Sequence, residues 1–153
     1  MIGRTAAVDY GRRRVGLAVC DPLGITTRGL DTVVLPSADA AGGGAPAFDE
    51  AARAVAARLR DEGVVRVVVG LPLHEDGSES ERSKEARAFG EALARALSVP
   101  VVFHDEGLTS WAAEEDAKAS GKRLRAARER GEIDRAAAAA ILRSWLGAQS
   151  SGS

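Results

Sequence analysis

Cysteine and histidine are scarce in this 153-residue sequence. The single cysteine, Cys20, excludes an internal disulfide and agrees with a reducing compartment. Because it lies in an apolar stretch, we expect it to be a small buried side chain. The only histidines, His74 and His104, are far apart in sequence, and no cysteines and histidines have the spacing of zinc ligands. The sequence therefore offers no support for a zinc site.

Long hydrophobic runs are also missing. No apolar stretch approaches the roughly 20 residues that a membrane-spanning helix needs, and the N-terminus lacks the apolar segment of a signal peptide. The sequence thus predicts a cytoplasmic protein without a membrane partner. With 45% hydrophobic residues in 153, it is long enough for one domain and too short for two ordinary ones. We predict a single domain over residues 1–148, with a flexible glycine-rich loop at 36–47 and a disordered tail at 149–153.

An excess of positive charge, normal in proteins that bind nucleic acids, is absent, since the net charge is -1. Local patterning is more informative. Residues 105–116 carry five acidic and no basic side chains, whereas residues 122–135 carry six basic and three acidic ones. An acidic pocket beside a basic rim is typical of a cation-dependent nuclease. Charged residues that simply solvate helix faces would explain the same pattern equally well.

The order of apolar segments predicts an α/β fold. Segments 5–8, 15–20 and 30–35 have the composition of strands joined by short turns. Helical spacing then starts at Phe48, and two further strands, 64–69 and 101–103, enclose a helix at 80–97. Helices are also predicted at 111–120 and 133–146. We therefore expect a mixed five-stranded sheet, with a three-strand antiparallel meander followed by parallel strands and with helices on both faces.

Three acidic residues from distant parts of the chain lie at the ends of predicted elements. Asp9 ends the first strand, Glu106 follows the last one, and Asp134 opens the C-terminal helix. Asp9 has an alternative role as a turn aspartate that accepts hydrogen bonds from nearby amides. On position alone, Asp134 is better explained as a helix cap. Asp105 competes with Glu106, since alternation along an extended segment points the two side chains in opposite directions.

Basic residues near these positions are candidates for binding nucleic acid. Arg12, Arg13 and Arg14 follow Asp9 closely and could grip phosphates bidentately, although Arg14 could instead be a structural ion-pair partner. Candidates for more distant contacts with the backbone of a nucleic acid are Lys122, Arg123, Arg125, Arg128 and Arg130. A solvated run of charges is an equally good explanation of that second group. We expect Trp111 and Trp145 to be core residues.

Four motifs resemble, in the same order, those of the YqgF/RuvX family, known as Holliday junction resolvases and pre-rRNA nucleases. The first is residues 9–19, DYGRRRVGLAV, with DPLG at 21–24. The second is VGLPL at 69–73 with DGS at 76–78, and the third is Asp105-Glu106 with LTS at 108–110. The fourth comprises residues 133–135 and 141–146. The resemblance covers nearly the whole chain and leaves the glycine-rich loop and the tail unmatched.

This resemblance implies a ribonuclease H-like fold in which Asp9, Glu106 and Asp134 form the catalytic set that binds Mg²⁺ or Mn²⁺, as a pair of ions. The implied partner is nucleic acid, either an rRNA precursor or a four-way DNA junction, and the implied state is a monomer or homodimer. Two positions depart from the family's pattern. Gly107 stands where the family usually has arginine, and His74 where it often has asparagine.

Three functions compete on this sequence. The leading hypothesis is a divalent-metal-dependent endonuclease that cuts structured nucleic acid, with the rRNA precursor favoured over the junction by the resemblance alone. A catalytically silent nucleic-acid-binding module is the second, because Gly107 replaces a family arginine. The third is an ATP-binding protein of the actin and sugar-kinase type, which also uses an Asp-x-Gly turn. Such proteins clamp the nucleotide between two domains, and only one fits in this length.

Overall fold

The computed structural model describes the backbone of residues 2–35, 45–106 and 132–151, and the side chains within these ranges except at 45–47, 132–134 and 150–151. The elements in chain order are β1 (Thr5–Asp9), β2 (Arg14–Cys20), β3 (Thr27–Gly29), β4 (Val33–Val34), α1 (Ala45–Arg60), β5 (Arg66–Leu71), α2 (Glu81–Leu97), β6 (Val101–Asp105) and α3 (Glu132–Ser151). The predicted helix at 111–120 and nearly all of the predicted loop at 36–47 lie outside the described residues; the last positions of that loop, from Ala45, belong to α1.

The strands form one mixed sheet in the order β3-β2-β1-β5-β6, with β4 also paired to β2. β1 and β2 are antiparallel, as are β2 and β3, whereas β1, β5 and β6 run parallel to one another. This confirms the predicted meander followed by parallel strands. Because the three parallel strands are neighbours, their carboxyl ends meet at one edge of the sheet. Asp9 and the residues after β5 and β6 lie at that edge.

The predicted third strand, 30–35, is wrong in detail, because two short strands replace it. β2 pairs Val15 with Val33 and Ala18 with Gly29, so two residues of β2 face three residues of the other segment. This is a β-bulge, which interrupts the ladder without ending the pairing. The backbone N–H of Leu30 still donates to the carbonyl of Leu17 at 2.9 Å, and Leu30 is buried. The sheet therefore has six strands rather than five.

Helices cover both faces of the sheet, as predicted. Alternation along the strands turns Val8 and Val69 toward α1 and α2, where they pack in one core cluster with Phe89. Ala7 and Val68 face the other way and pack in a second cluster with Ile141 of α3. The alanines on both sides of this second cluster allow the helix axis to approach the sheet closely. Asp9 has the same alternation as Ala7, so it lies on the α3 face.

Local signals position α2 beside the carboxyl edge. Ser80 is the N-cap, and its hydroxyl accepts a hydrogen bond from the Ser83 amide at 3.0 Å within a capping box. The same hydroxyl donates to the carbonyl of Pro72 at 2.6 Å, which ties the helix start to the segment after β5. The predicted start of this helix is therefore confirmed. None of the helices in the described ranges is long and apolar enough to cross a membrane.

α3 is longer than predicted, because it runs from Glu132 to Ser151 rather than ending at residue 146. Its buried residues include Trp145, which was predicted to be core and is only 9% exposed. The guanidinium carbon of Arg66 lies 5.3 Å from the centre of the Trp145 ring. Cys20 is also buried and free, as expected. The counterpart Trp111 lies outside the described residues.

Candidate active site

Asp9 and Glu106 meet at the carboxyl edge of the parallel strands. Asp9 is the last residue of β1, and Glu106 directly follows β6, two strands away. Their carboxyl groups are joined by a hydrogen bond. A hydrogen bond between two carboxyl groups needs a shared proton, because two carboxylates have acceptors only. These two sequence-predicted residues are therefore brought together by the fold, although 97 positions separate residue 9 from residue 106.

Gly70, on the strand between them, leaves the space that Glu106 occupies. A Cβ atom at position 70 would lie 3.0 Å from Glu106 Oε2 and 2.6 Å from Cδ1 of Ile141. Any larger residue would therefore press on the carboxylate and on α3 together. Gly70 belongs to the second sequence motif, but only the structure shows this reason for glycine. The acidic pair thus lies in a cradle whose floor is the β5 backbone and whose wall is Ile141.

Burial raises the pKa of Glu106 above its usual value, since the charged form loses solvation. The negative charge of Asp105 acts in the same direction. The positive charge of Arg82 and the hydrogen bond to Asp9 lower the pKa, but burial is the largest effect. In the absence of a cation the site therefore favours a shared proton. A divalent cation is the natural replacement for that proton, and carboxylate oxygens are the ligands that Mg²⁺ and Mn²⁺ prefer.

The structure separates Glu106 from its competitor Asp105. Asp105 follows the alternation of Val101 and Phe103, which pack with the α1 and α2 core cluster. Glu106 is the residue that reaches Asp9 and the space above Gly70. The geometry therefore favours Glu106 as the acidic partner on the α3 face.

Asp134 lies in the first turn of α3, but its side chain is outside the part that the structure describes. The backbone of α3 packs against β1, β2 and β5, on the same face of the sheet as Asp9. Among the side chains described, no three acidic, histidine or cysteine groups are close enough to hold a metal ion. Two of the three predicted ligands are thus in contact, and the role of Asp134 stays a prediction.

A cleft of about 390 Å³ opens beside the acidic pair, lined by Tyr10, Gly11, Arg12, Glu81, Arg82 and Glu85. Tyr10 forms one wall and stacks on Phe89 with the ring centres 4.7 Å apart. Partial burial and the nearby Glu85 raise the pKa of Tyr10, so it is a neutral hydroxyl at physiological pH. The tight turn after β1 depends on Gly11, because a Cβ atom there would lie 2.6 Å from the Arg14 carbonyl oxygen.

Arg82 is the residue that the sequence prediction missed. It is exposed on the first turn of α2, where it lines the cleft, and its charge reaches Glu106. A general signal was available, because ligands of α/β sheets bind outside the carboxyl ends of the strands, and α2 begins there. Nothing in the sequence distinguishes Arg82 from the other basic residues of the same helix.

The predicted basic residues have different positions. Arg12 and Arg13 are exposed in the turn after Asp9, and Arg12 pairs with Glu85 at 2.8 Å. Arg14 is partly buried at the start of β2. The other five candidates lie outside the described residues, as does Gly107: Lys122, Arg123, Arg125, Arg128 and Arg130. Only the arginines of the first turn can therefore be placed beside the acidic pair.

The two histidines also have different surroundings. His74 is exposed in a turn after β5, in which its carbonyl accepts from the Gly77 amide at 2.8 Å. His104 in β6 is paired with Ser144 of α3, with Nε2 and Oγ 2.8 Å apart. Burial lowers the pKa of His104, while the charge of Asp105 opposes this effect. His104 therefore helps to hold α3 against the sheet next to Glu106.

The mixed sheet with helices on both faces is a ribonuclease H-like fold. Among solved structures it is similar to Thermus thermophilus RuvC in complex with a Holliday junction substrate, with a TM-score of 0.61 and 96% of each chain covered. A second structure of RuvC from the same organism has a TM-score of 0.58. Sequence identity to both is 19%, so this likeness concerns the fold alone.

The chain belongs to the RuvX family, whose description is Holliday junction resolvase and whose profile matches residues 3–148. A relative from Synechococcus elongatus is 41% identical over 142 residues, which cover 93% of this chain and 87% of that protein. One from Anaeromyxobacter dehalogenans is 45% identical over 143 residues, with 94% and 96% covered. Both carry a name that proposes a nuclease of pre-16S rRNA. The family prediction is therefore confirmed, and the family is one of nucleases.

Proposed function

We propose that this protein is a divalent-metal-dependent endonuclease that cuts a phosphodiester bond near the 5′ end of the 16S rRNA precursor. The observation that carries the proposal is the buried, hydrogen-bonded pair of Asp9 and Glu106 at the carboxyl edge of the sheet. The RNA substrate is supported by the names of relatives that are 41% and 45% identical over most of the chain. A single cut in a precursor needs only a monomer, so we expect one in solution, in the cytoplasm.

The residues of the site fit Mg²⁺ or Mn²⁺. Asp9 and Glu106 offer oxygen ligands in a cradle that a Cβ atom at Gly70 would fill, and Asp134 would complete the set. A pair of bound ions would activate a water nucleophile and stabilise the leaving oxygen. Ile141 and the β5 backbone hold the Glu106 carboxyl group in place before substrate arrives. Arg12, Arg13 and Arg14 would grip phosphates of the bound strand on the other side of Asp9.

Resolution of a four-way DNA junction is the second candidate, because the family description names that activity. A junction resolvase must cut two symmetric strands, which favours a homodimer with two equivalent sites. The two candidates therefore differ in a measurable way. A monomer in light scattering that cuts the RNA precursor at one position supports the first. A dimer that makes paired cuts in a synthetic junction supports the second.

The decisive test is Asp9→Asn, assayed on a 16S rRNA precursor fragment and on a four-way DNA junction with Mg²⁺ or Mn²⁺. We expect the substitution to abolish cleavage, since it removes a charged ligand from the acidic pair. Asp31→Asn is the matched control, because the Asp31 side chain is 90% exposed and its only described contact is Arg135 at 3.8 Å. Cleavage that survives Asp9→Asn would refute the proposal. Salt-dependent binding with no cleavage by the unmodified protein would favour the silent binding module.

A further inference from the structure

The cleft beside the acidic pair contains two arginines in different electrostatic settings. Its lining begins at Tyr10 and Gly11, directly after Asp9, and continues to the first turns of α2. Arg12 is bound to Glu85 at 2.8 Å, and its side chain is 70% exposed. Arg82, on the opposite wall, is close enough for its charge to act on Glu106. The cleft is therefore continuous with the acidic pair and positively charged on both walls.

Neither arginine is committed strongly to its carboxylate. Exposed ion pairs contribute about 0.2 to 1 kcal/mol, so a phosphate group can displace Glu85 from Arg12. The situation of Arg82 is different, because its target is the proposed metal ligand. A divalent cation on Glu106 would repel the Arg82 guanidinium and neutralise the charge that attracts it. The same event that prepares the acidic pair therefore releases Arg82 toward the cleft.

We propose that Arg82 is a substrate-positioning residue that exchanges partners, neutralising Glu106 before a divalent cation binds and contacting a backbone phosphate in this cleft afterward. The ligand is the phosphodiester group next to the one that is cut, held between Arg82 and Arg12 over the ring of Tyr10. This inference rests on the proposed function, since it assumes that Asp9 and Glu106 bind the cation. The exchange couples cation binding to substrate binding through one side chain.

The exchange predicts opposite effects of Arg82→Gln on the two ligands. Loss of a competing positive charge lowers the Kd for Mn²⁺ by up to about fivefold, as expected for an exposed charge pair. Loss of a charge-assisted phosphate contact raises KM for the precursor fragment by about tenfold. The kcat value changes little, because the contact positions substrate rather than the reacting atoms. The slope of log KM against log salt concentration falls by about 0.7 to 1, as one phosphate contact is lost.

The experiment compares the full-length protein with Arg82→Gln, Arg82→Lys and Arg95→Gln. Arg95 is the matched control, because it lies in the last turn of α2, pairs with Asp49 at 3.5 Å and carries the same charge. Mn²⁺ binding is measured by electron paramagnetic resonance without nucleic acid, and KM and kcat are measured on the precursor fragment. We expect Arg82→Lys to keep the wild-type Kd for Mn²⁺ but to regain only part of the KM, since lysine lacks the bidentate fork.

Two results would overturn the inference while leaving the proposed function intact. One is Arg82→Gln behaving like Arg95→Gln in both measurements, and the other is weaker Mn²⁺ binding in Arg82→Gln. Either is meaningful when the unmodified protein binds Mn²⁺ and Asp9→Asn abolishes that binding. Absence of any Asp9-dependent Mn²⁺ binding in the unmodified protein would overturn both ideas together. The two failures are thus distinguished by the Asp9→Asn measurement.

Discussion

Gly70→Ala is the sharpest test of how the fold supports the acidic pair. The new Cβ atom would lie 2.6 Å from Ile141 Cδ1 and 3.0 Å from Glu106 Oε2, and the first distance is shorter than any real contact. Overpacking of this kind costs about 1 to 3 kcal/mol. Replacing glycine also reduces the freedom of the unfolded chain, which returns about 0.4 to 1 kcal/mol. We expect a net loss of about 1 to 2 kcal/mol, or about 2 to 8 °C in Tm.

The same substitution should affect activity more than stability. Moving the Glu106 carboxyl group by a few tenths of an ångström disturbs a metal ligand through its support, and such changes cost about 10- to 100-fold in metal affinity or activity. Cleavage is measured on the precursor fragment over a range of Mn²⁺ concentrations, and stability by thermal unfolding without metal. Gly147→Ala in α3 is a control, because a Cβ atom there meets nothing within 4 Å.

Ile141→Val separates the two contacts, because valine lacks the Cδ1 atom that the new methyl group would strike. Alone it should cost about 0.5 to 1.5 kcal/mol. Combined with Gly70→Ala, it should cost less than the sum of the two single changes, since the main clash is gone. Cleavage should stay low in the double variant, because the contact with Glu106 Oε2 remains. Additive stabilities together with wild-type cleavage in Gly70→Ala would refute this account of the cradle.

Two further predictions concern the elements around the site. Ser80→Ala removes the N-cap of α2 and the hydrogen bond to the Pro72 carbonyl, so we expect a loss of about 1 to 2 kcal/mol in chemical denaturation. A loss below about 0.3 kcal/mol would contradict that role. Asp21 accepts hydrogen bonds from the amides of Leu23, Ile25 and Thr26, which lower its pKa from 3.8. Its stabilisation is present above pH 3.8 and is lost as pH falls through the lower folded value; Asp21→Asn should flatten unfolding curves there, and an unchanged acid profile would argue against it.

The fold was largely predictable because its signals are local. The continuous run of Val67, Val68 and Val69 indicated a strand covered on both faces, and β5 does lie between β1 and β6 under helices on each side. The third strand was mispredicted because its pairing depends on β2. The bulge opposite Gly16 and Leu17 arises from register between two segments, and hydrophobic pattern within one segment does not contain that information.

The candidate site was predictable only where topology and alternation act together. Parallel strands bring Asp9 and the end of β6 to one edge, and the alternation of β6 then selects Glu106 over Asp105 for the α3 face. Gly70 and Arg82 show what these rules omit. The need for glycine at position 70 comes from Ile141, and the importance of Arg82 comes from its distance to Glu106 across the end of the sheet. Both are properties of packing between remote segments. An exposed arginine with the composition of its neighbours gains a specific role only when the chain places a carboxylate within reach of its charge.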